Sequence, residues 1–257
     1  DCLDILRKKY KDVEHIDVAS TLTTLGLIMD QRGDTEASLT YLQDALLMRR
    51  KLLGNESLDV SATLVYIGTI LYRKSSFSLA VDMFTESLRI RQAALGKDHR
   101  DVAFVMYNIA LVHHQRRSYE EAIECYSETL RIEKLVLGER HKDVSMTLFK
   151  LGEVHKSAGN LDQALECFQE SLAVEEGLSS QDAAAASSNQ LDHAAMARAY
   201  NEIGNIHLAR GETVPMMEAF NEASRLFRAA GLSDRNVVVT GHLYALEFAC
   251  PEAAAAA

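Results

Sequence analysis

Residues 99–140 read HRDVAFVMYNIALVHHQRRSYEEAIECYSETLRIEKLVLGER, and this 42-residue stretch recurs on both sides of itself without a gap. Copies begin at His15, Ser57 and His141, each at a 42-residue interval, and a looser copy begins at His193. Self-similarity at a period of roughly 20–50 residues marks stacked supersecondary units, each burying its apolar face only against its neighbours. The repeat overrides any estimate of domain number from length, and one elongated array is expected.

Within a copy the apolar spacing is helical. Val102, Met106, Ile109 and His113 form one stripe, and Ala122, Tyr126, Leu130 and Ile132 belong to a second. Asp101, with Asp17, Asp59 and Asp143 at the same position, reads as the N-cap of the first helix. Gly138, like Gly54 and Gly96, reads as the stop of the second. Two prolines and 13 glycines in 257 residues favour helices over strands.

The expected organisation is the end of a preceding repeat at 1–14, then repeats at 15–56, 57–98, 99–140 and 141–176. A small, polar inserted loop follows at 177–192, where the fourth copy ends early at Gly177. A fifth repeat at 193–234, a C-terminal capping helix at 235–250 and a tail at 251–257 complete the chain. The opening matches the second half of a repeat, so the expectation is that the chain starts inside a longer array.

The spacing Leu148-x2-Leu151-Gly152-x2-His155, then Ala164 and Phe168, resembles the tetratricopeptide signature. Leu64/Ile67/Gly68/Leu71/Ala80/Phe84 and Met106/Ile109/Ala110/His113/Ala122/Tyr126 repeat it. The usual unit of that family is about 34 residues and closes with a proline. Here the unit is longer, and the fourth copy has Glu176 and no proline at that point. The longer form, opening H-x-D-V-A-x-x-L and closing L-R-I-x-x-x-x-L-G, is similar to the repeats of kinesin light chain. The resemblance implies an all-α, right-handed superhelical solenoid of antiparallel helix pairs, with first helices lining a concave groove. It also implies a protein or peptide partner.

On that arrangement the first helices expose a second stripe. Its middle is apolar and aromatic: Val65 and Thr69, then Phe104, Tyr107 and Leu111, then Met146, Phe149 and Glu153. Its C-terminal end is polar, with Arg198, Asn201 and Asn205. Such a gradient suits an extended or helical peptide with one or two large apolar anchors. The competing reading is that these rings pack on neighbouring first helices. Kinesin light chain repeats tend to hold asparagine in this groove to clamp the peptide backbone. The corresponding residues here are Thr23, Val65, Tyr107, Phe149 and, alone matching, Asn201, which argues against that binding mode.

The remaining patterns exclude more than they assign. A net charge of −10 argues against nucleic acid. Of nine histidines, His113, His155 and His207 share one position and His15, His99, His141 and His193 another, each once per unit. The adjacent His113-His114 pair points to two faces of one helix, so no metal site is expected and the reading is structural. Cys2, Cys125, Cys167 and Cys250 follow no disulfide or metal pattern, which fits a reducing compartment such as the cytoplasm. No apolar run reaches the length of a membrane span, so no direct membrane insertion is expected. No catalytic constellation and no cofactor motif is visible, so the chain reads as non-catalytic. The expected function is a protein-interaction scaffold. The alternatives are a structural subunit of a large multi-subunit complex, or a regulatory module attached to an upstream domain.

Overall fold

The computed structural model describes residues 15–181 and 193–232. The described residues form ten α-helices and no strand. They fall into five antiparallel pairs: α1 (Ile16–Gln31) with α2 (Thr35–Leu53), α3 (Leu58–Arg73) with α4 (Phe77–Leu95), and α5 (Arg100–Gln115) with α6 (Tyr119–Leu137). α7 (Lys142–Ser157) pairs with α8 (Leu161–Gln181), and α9 (His193–Arg210) with α10 (Thr213–Ala229). The chain divides into two compact units, Asp1–Ile132 and Glu133–Ala257, with the division inside α6. The preceding half-repeat at 1–14, the capping helix and the tail lie outside the described residues, as does most of the 177–192 loop.

A glycine facing a large side chain sets the spacing within most pairs. A Cβ on Gly68 would stand 2.8 Å from the ring of Phe84, on Gly152 2.8 Å from that of Phe168, and on Gly204 2.7 Å from that of Phe220. Gly26 meets Leu42 in the same way. In the third pair Ala110 and Tyr126, both fully buried, take these places. The second contact between paired helices is made by small residues. Ser61 and Ser87 share a hydrogen bond of 2.8 Å, and Ser145 and Ser171 one of 3.0 Å. Ala19 with Ala45, and Ala197 with Ala223, fill the same register without polar atoms. First helices therefore bury two faces, which is why Val105, Val112 and Val154 are buried beyond the simple stripe.

The first helices are capped two residues earlier than the aspartates imply. His15, His99 and His141 are the N-caps, and each imidazole Nδ1 accepts from the backbone N–H two residues on, at 3.2, 3.1 and 3.1 Å. Ser57 does the same through its hydroxyl at 3.2 Å. Asp17, Asp59, Asp101 and Asp143 lie inside the first turn, where their charge meets the helix dipole. The second helices α2, α4 and α6 end at Gly54, Gly96 and Gly138, whose φ of 81–87° is open only to glycine. The fourth pair departs from the expected boundary at Glu176. α8 continues through Gly177, which does not adopt a positive φ, to Gln181, so the described start of the expected loop is helix.

Ion pairs decorate the second helices within each unit. Arg50 grips Glu86 and Arg89 grips Glu56 with paired hydrogen bonds of 2.8 Å, and Arg131 reaches Asp98. In the second unit Lys134 reaches Glu170 at 2.6 Å. Exposed pairs of this kind contribute about 0–1 kcal/mol each, so the apolar core carries the stability.

Candidate functional site

The candidate residues occupy three positions on each first helix, and the positions differ in what they do. The first is Ala62 on α3, Phe104 on α5, Met146 on α7 and Arg198 on α9, and it points outward. Phe104 is 51% and Met146 48% exposed, and Arg198 is exposed as well. These are large side chains left in solvent where burial would otherwise be favourable.

The second position lies one turn before the helix-contact glycine or alanine and so shares its face. Tyr107 sits edge-on to the buried Tyr126 with ring centroids 5.3 Å apart, and Phe149 lies tilted on Phe168 at 5.2 Å. Val65 joins the cluster around Phe84, and Asn201 is buried. These side chains close over the aromatic core of their own helix pair. The third position, Thr69, Leu111 and Glu153, is half-buried, and Asn205 is buried. Thr69 spends its hydroxyl on the Val65 carbonyl, and Glu153 pairs with Lys150 at 2.7 Å.

In the first unit the faces of α1, α3 and α5, with Arg91 of α4, line an open pocket of 340 Å³. Val65 and Ile70 form its apolar floor, and Tyr66 and Phe104 stand in its wall at 39% and 51% exposure. Arg73, paired with Asp30, and Arg91 of α4 supply its charge. The sequence stripe contained Val65, Thr69 and Phe104 but missed Tyr66, Arg73 and Arg91. Tyr66 follows Val65 and lies beyond the stripe, and Arg91 comes from a second helix.

Two of the histidines on the first helices, His113 and His155, are partly buried. Burial lowers His113 and His155 from their ordinary values, and the Nδ1 of each is buried without an acceptor or donor. Cys125 and Cys167 are free thiols pushed up by burial, Cys167 to about 11. No group of three or more His, Cys, Asp or Glu among the described residues is placed to hold a metal ion. No described helix is long and apolar enough to cross a membrane.

The tetratricopeptide repeat model matches three overlapping stretches, residues 17–93, 59–132 and 101–177, which together span well over half of the chain. The chain belongs to the tetratricopeptide repeat family. Among solved structures, this tetratricopeptide repeat chain is similar to BtubC (BKLC) from P. vanneervenii. The two are 18% identical, with a TM-score of 0.72 over 84% of this chain and 82% of that one. It is also similar to the nearly identical TPR-like repeats of a Podosopora anserina protein assigned to kinesin light chain, at 15% identity and a TM-score of 0.70. That match covers 85% of this chain and 99% of the other. Aspartyl phosphate phosphatase F from Bacillus subtilis shares the fold at 15% identity and a TM-score of 0.67, over 82% of this chain and 50% of that one. At these identities the likeness is one of fold. No curated protein matches the sequence.

Proposed function

We propose that this tetratricopeptide repeat protein is a non-catalytic scaffold that binds a segment of a partner protein on its first-helix faces. The observation that carries the reading is the first-unit pocket, with Phe104 left 51% exposed beside it. A concave, apolar site with few polar groups is the ordinary form of a binding pocket, and an aromatic side chain in its wall is the ordinary form of a hot spot. Met146 and Arg198 offer the corresponding outward positions of the second unit. Tyr107, Phe149, Val65 and Asn201 serve mainly to close the helix pairs, and they shape the surface from beneath.

The test places a photo-crosslinking amino acid at position 104 in the full chain and, separately, at position 47. Leu47 is a comparably exposed leucine, 57%, on the second helix α2. The reading expects a discrete crosslinked partner from position 104 and none from position 47. The same partner captured from position 47 but not from position 104 would transfer the function to the second-helix face.

A further inference from the structure

We infer that Ala62 sets the specificity of the first-unit pocket: its small side chain leaves a seat for one uncharged, apolar side chain of the bound segment. This rests on the scaffold reading and names the anchor its partner would bring.

The seat comes from a break in a ladder. Ala62 occupies the outward position that holds Ser20 on α1, Phe104 on α5, Met146 on α7 and Arg198 on α9. From α3 onward, only α3 lacks a large side chain there. Ala62 lines the pocket, whereas Ser20, also small, does not. Residues four apart stack on one helix face, so Tyr66 rises one turn beyond Ala62. On α5 the order of sizes is reversed: Phe104 is large, and Asn108, one turn on, folds back to donate to the Phe104 carbonyl at 2.7 Å. The two exposed rings of the wall, Tyr66 and Phe104, therefore come from different turns of two helices, and the short side chain of Ala62 keeps the space they share open. Leu27, Val65 and Ile70 continue the apolar lining. A volume of 340 Å³ lies at the small end of ligand sites, about 300–1,000 Å³, and suits one side chain of a longer segment.

The charges at the pocket are already matched, and this decides the chemistry of the anchor. Arg73 pairs with Asp30, and Arg91 stands 3.9 Å from the Asp101 carboxylate. Arg91 also donates to the Ser61 hydroxyl at 2.9 Å and to the Asp101 carbonyl at 3.1 Å. An incoming ammonium or carboxylate would lose its water against apolar walls and find each counter-charge engaged. An apolar side chain carries no such cost, and it covers Phe104 and Tyr66, which are otherwise left in solvent. Electrostatic complementarity therefore selects the uncharged anchor.

The experiment selects peptides from a random display library on the intact chain and titrates the tightest one. The inference expects a single apolar residue common to the selected peptides, with roughly tenfold or greater loss of affinity when it is replaced by alanine, aspartate or lysine. On the protein, Ala62→Val, Ala62→Met and Ala62→Phe fill the seat in steps, the last two copying Met146 and Phe104, and affinity falls in that order. Ala94→Phe, on the exposed surface of the second helix α4, leaves affinity unchanged. Thermal unfolding establishes that each variant is folded, and Ala62→Val keeps the series readable if the ring is not accommodated. The peptide lacking its anchor binds the native and Ala62→Met chains equally, a coupling that a loss of fold would not produce. A selected peptide anchored by a charged residue, or unchanged affinity across the Ala62 series, would overturn the inference and leave the scaffold reading standing. Failure of the library to enrich any peptide would overturn both.

Discussion

Gly152 and Gly177 allow one substitution to be worked in opposite directions. A Cβ on Gly152 would lie 2.8 Å from Cε1 and 3.0 Å from Cδ1 and Cζ of Phe168. Carbon atoms are in best contact at about 3.5–4.0 Å, so the ring would have to retreat by roughly 0.7 Å. Phe168 is fully buried and covered by Phe149, which leaves little room for that shift. Overpacking of this kind costs about 1–3 kcal/mol, against about 1 kcal/mol gained by placing alanine rather than glycine in a helix. Gly152→Ala is therefore expected to destabilise by about 1 kcal/mol. At Gly177 the nearest atoms to a new Cβ are on the flexible Arg140 side chain, at 3.5 Å, an ordinary contact. There the propensity term stands alone, and Gly177→Ala is expected to stabilise by about 0.5–1 kcal/mol. Thermal unfolding should move by about 2–4 °C per kcal/mol, down for the first variant and up for the second. A rise in melting temperature for Gly152→Ala would refute the close-approach account of helix pairing.

The caps, the turns and the buried imidazoles give three further expectations. His99→Ala removes the acceptor for the Asp101 N–H and should cost about 1 kcal/mol in chemical denaturation, whereas His99→Ser, copying Ser57, should cost a few tenths; equal losses would remove the cap role. Ser75 and Arg117 hold φ of 59° and 62° at the turn where Gly33, Gly159 and Gly211 stand in the other repeats. Replacing either by glycine should stabilise by about 0.5–1 kcal/mol, and a loss of stability would contradict the strain. Burial holds His113 and His155 below the unfolded value of about 6.5, so the unfolded chain takes up protons first and stability falls as pH drops through that value. The double replacement by phenylalanine should flatten the decline in melting temperature between about pH 7 and pH 5, and an unchanged slope would sink this assignment.

The fold was legible because the 42-residue period multiplies weak local signals, so that each helix is written several times. What escaped was decided by conformation rather than residue type. Gly177 looks like Gly138 in sequence, yet only Gly138 takes a positive φ, and α8 runs on. Aspartates two residues into each copy looked like caps. The histidine two residues before does that work, because from the extended N-cap conformation its Nδ1 accepts from the aspartate's own backbone N–H. At the candidate site, Tyr107 and Phe149 read as groove anchors by hydrophobicity alone. Their spacing from Ala110 and Gly152 turns them onto the buried rings of their own pairs, and Phe104 and Met146 remain the exposed members. Arg49 escaped because nothing in the sequence reveals that this guanidinium, unlike its neighbour Arg50, is buried.

The central claim is that the first-helix face of the first unit is the binding surface. It is tested most directly by titrating the tightest peptide selected on the intact chain against Phe104→Asp and Leu47→Asp, each established as folded by its unfolding curve. A loss of roughly tenfold or more for Phe104→Asp with unchanged affinity for Leu47→Asp is the predicted result. Unchanged affinity for Phe104→Asp, or a loss confined to Leu47→Asp, would contradict it.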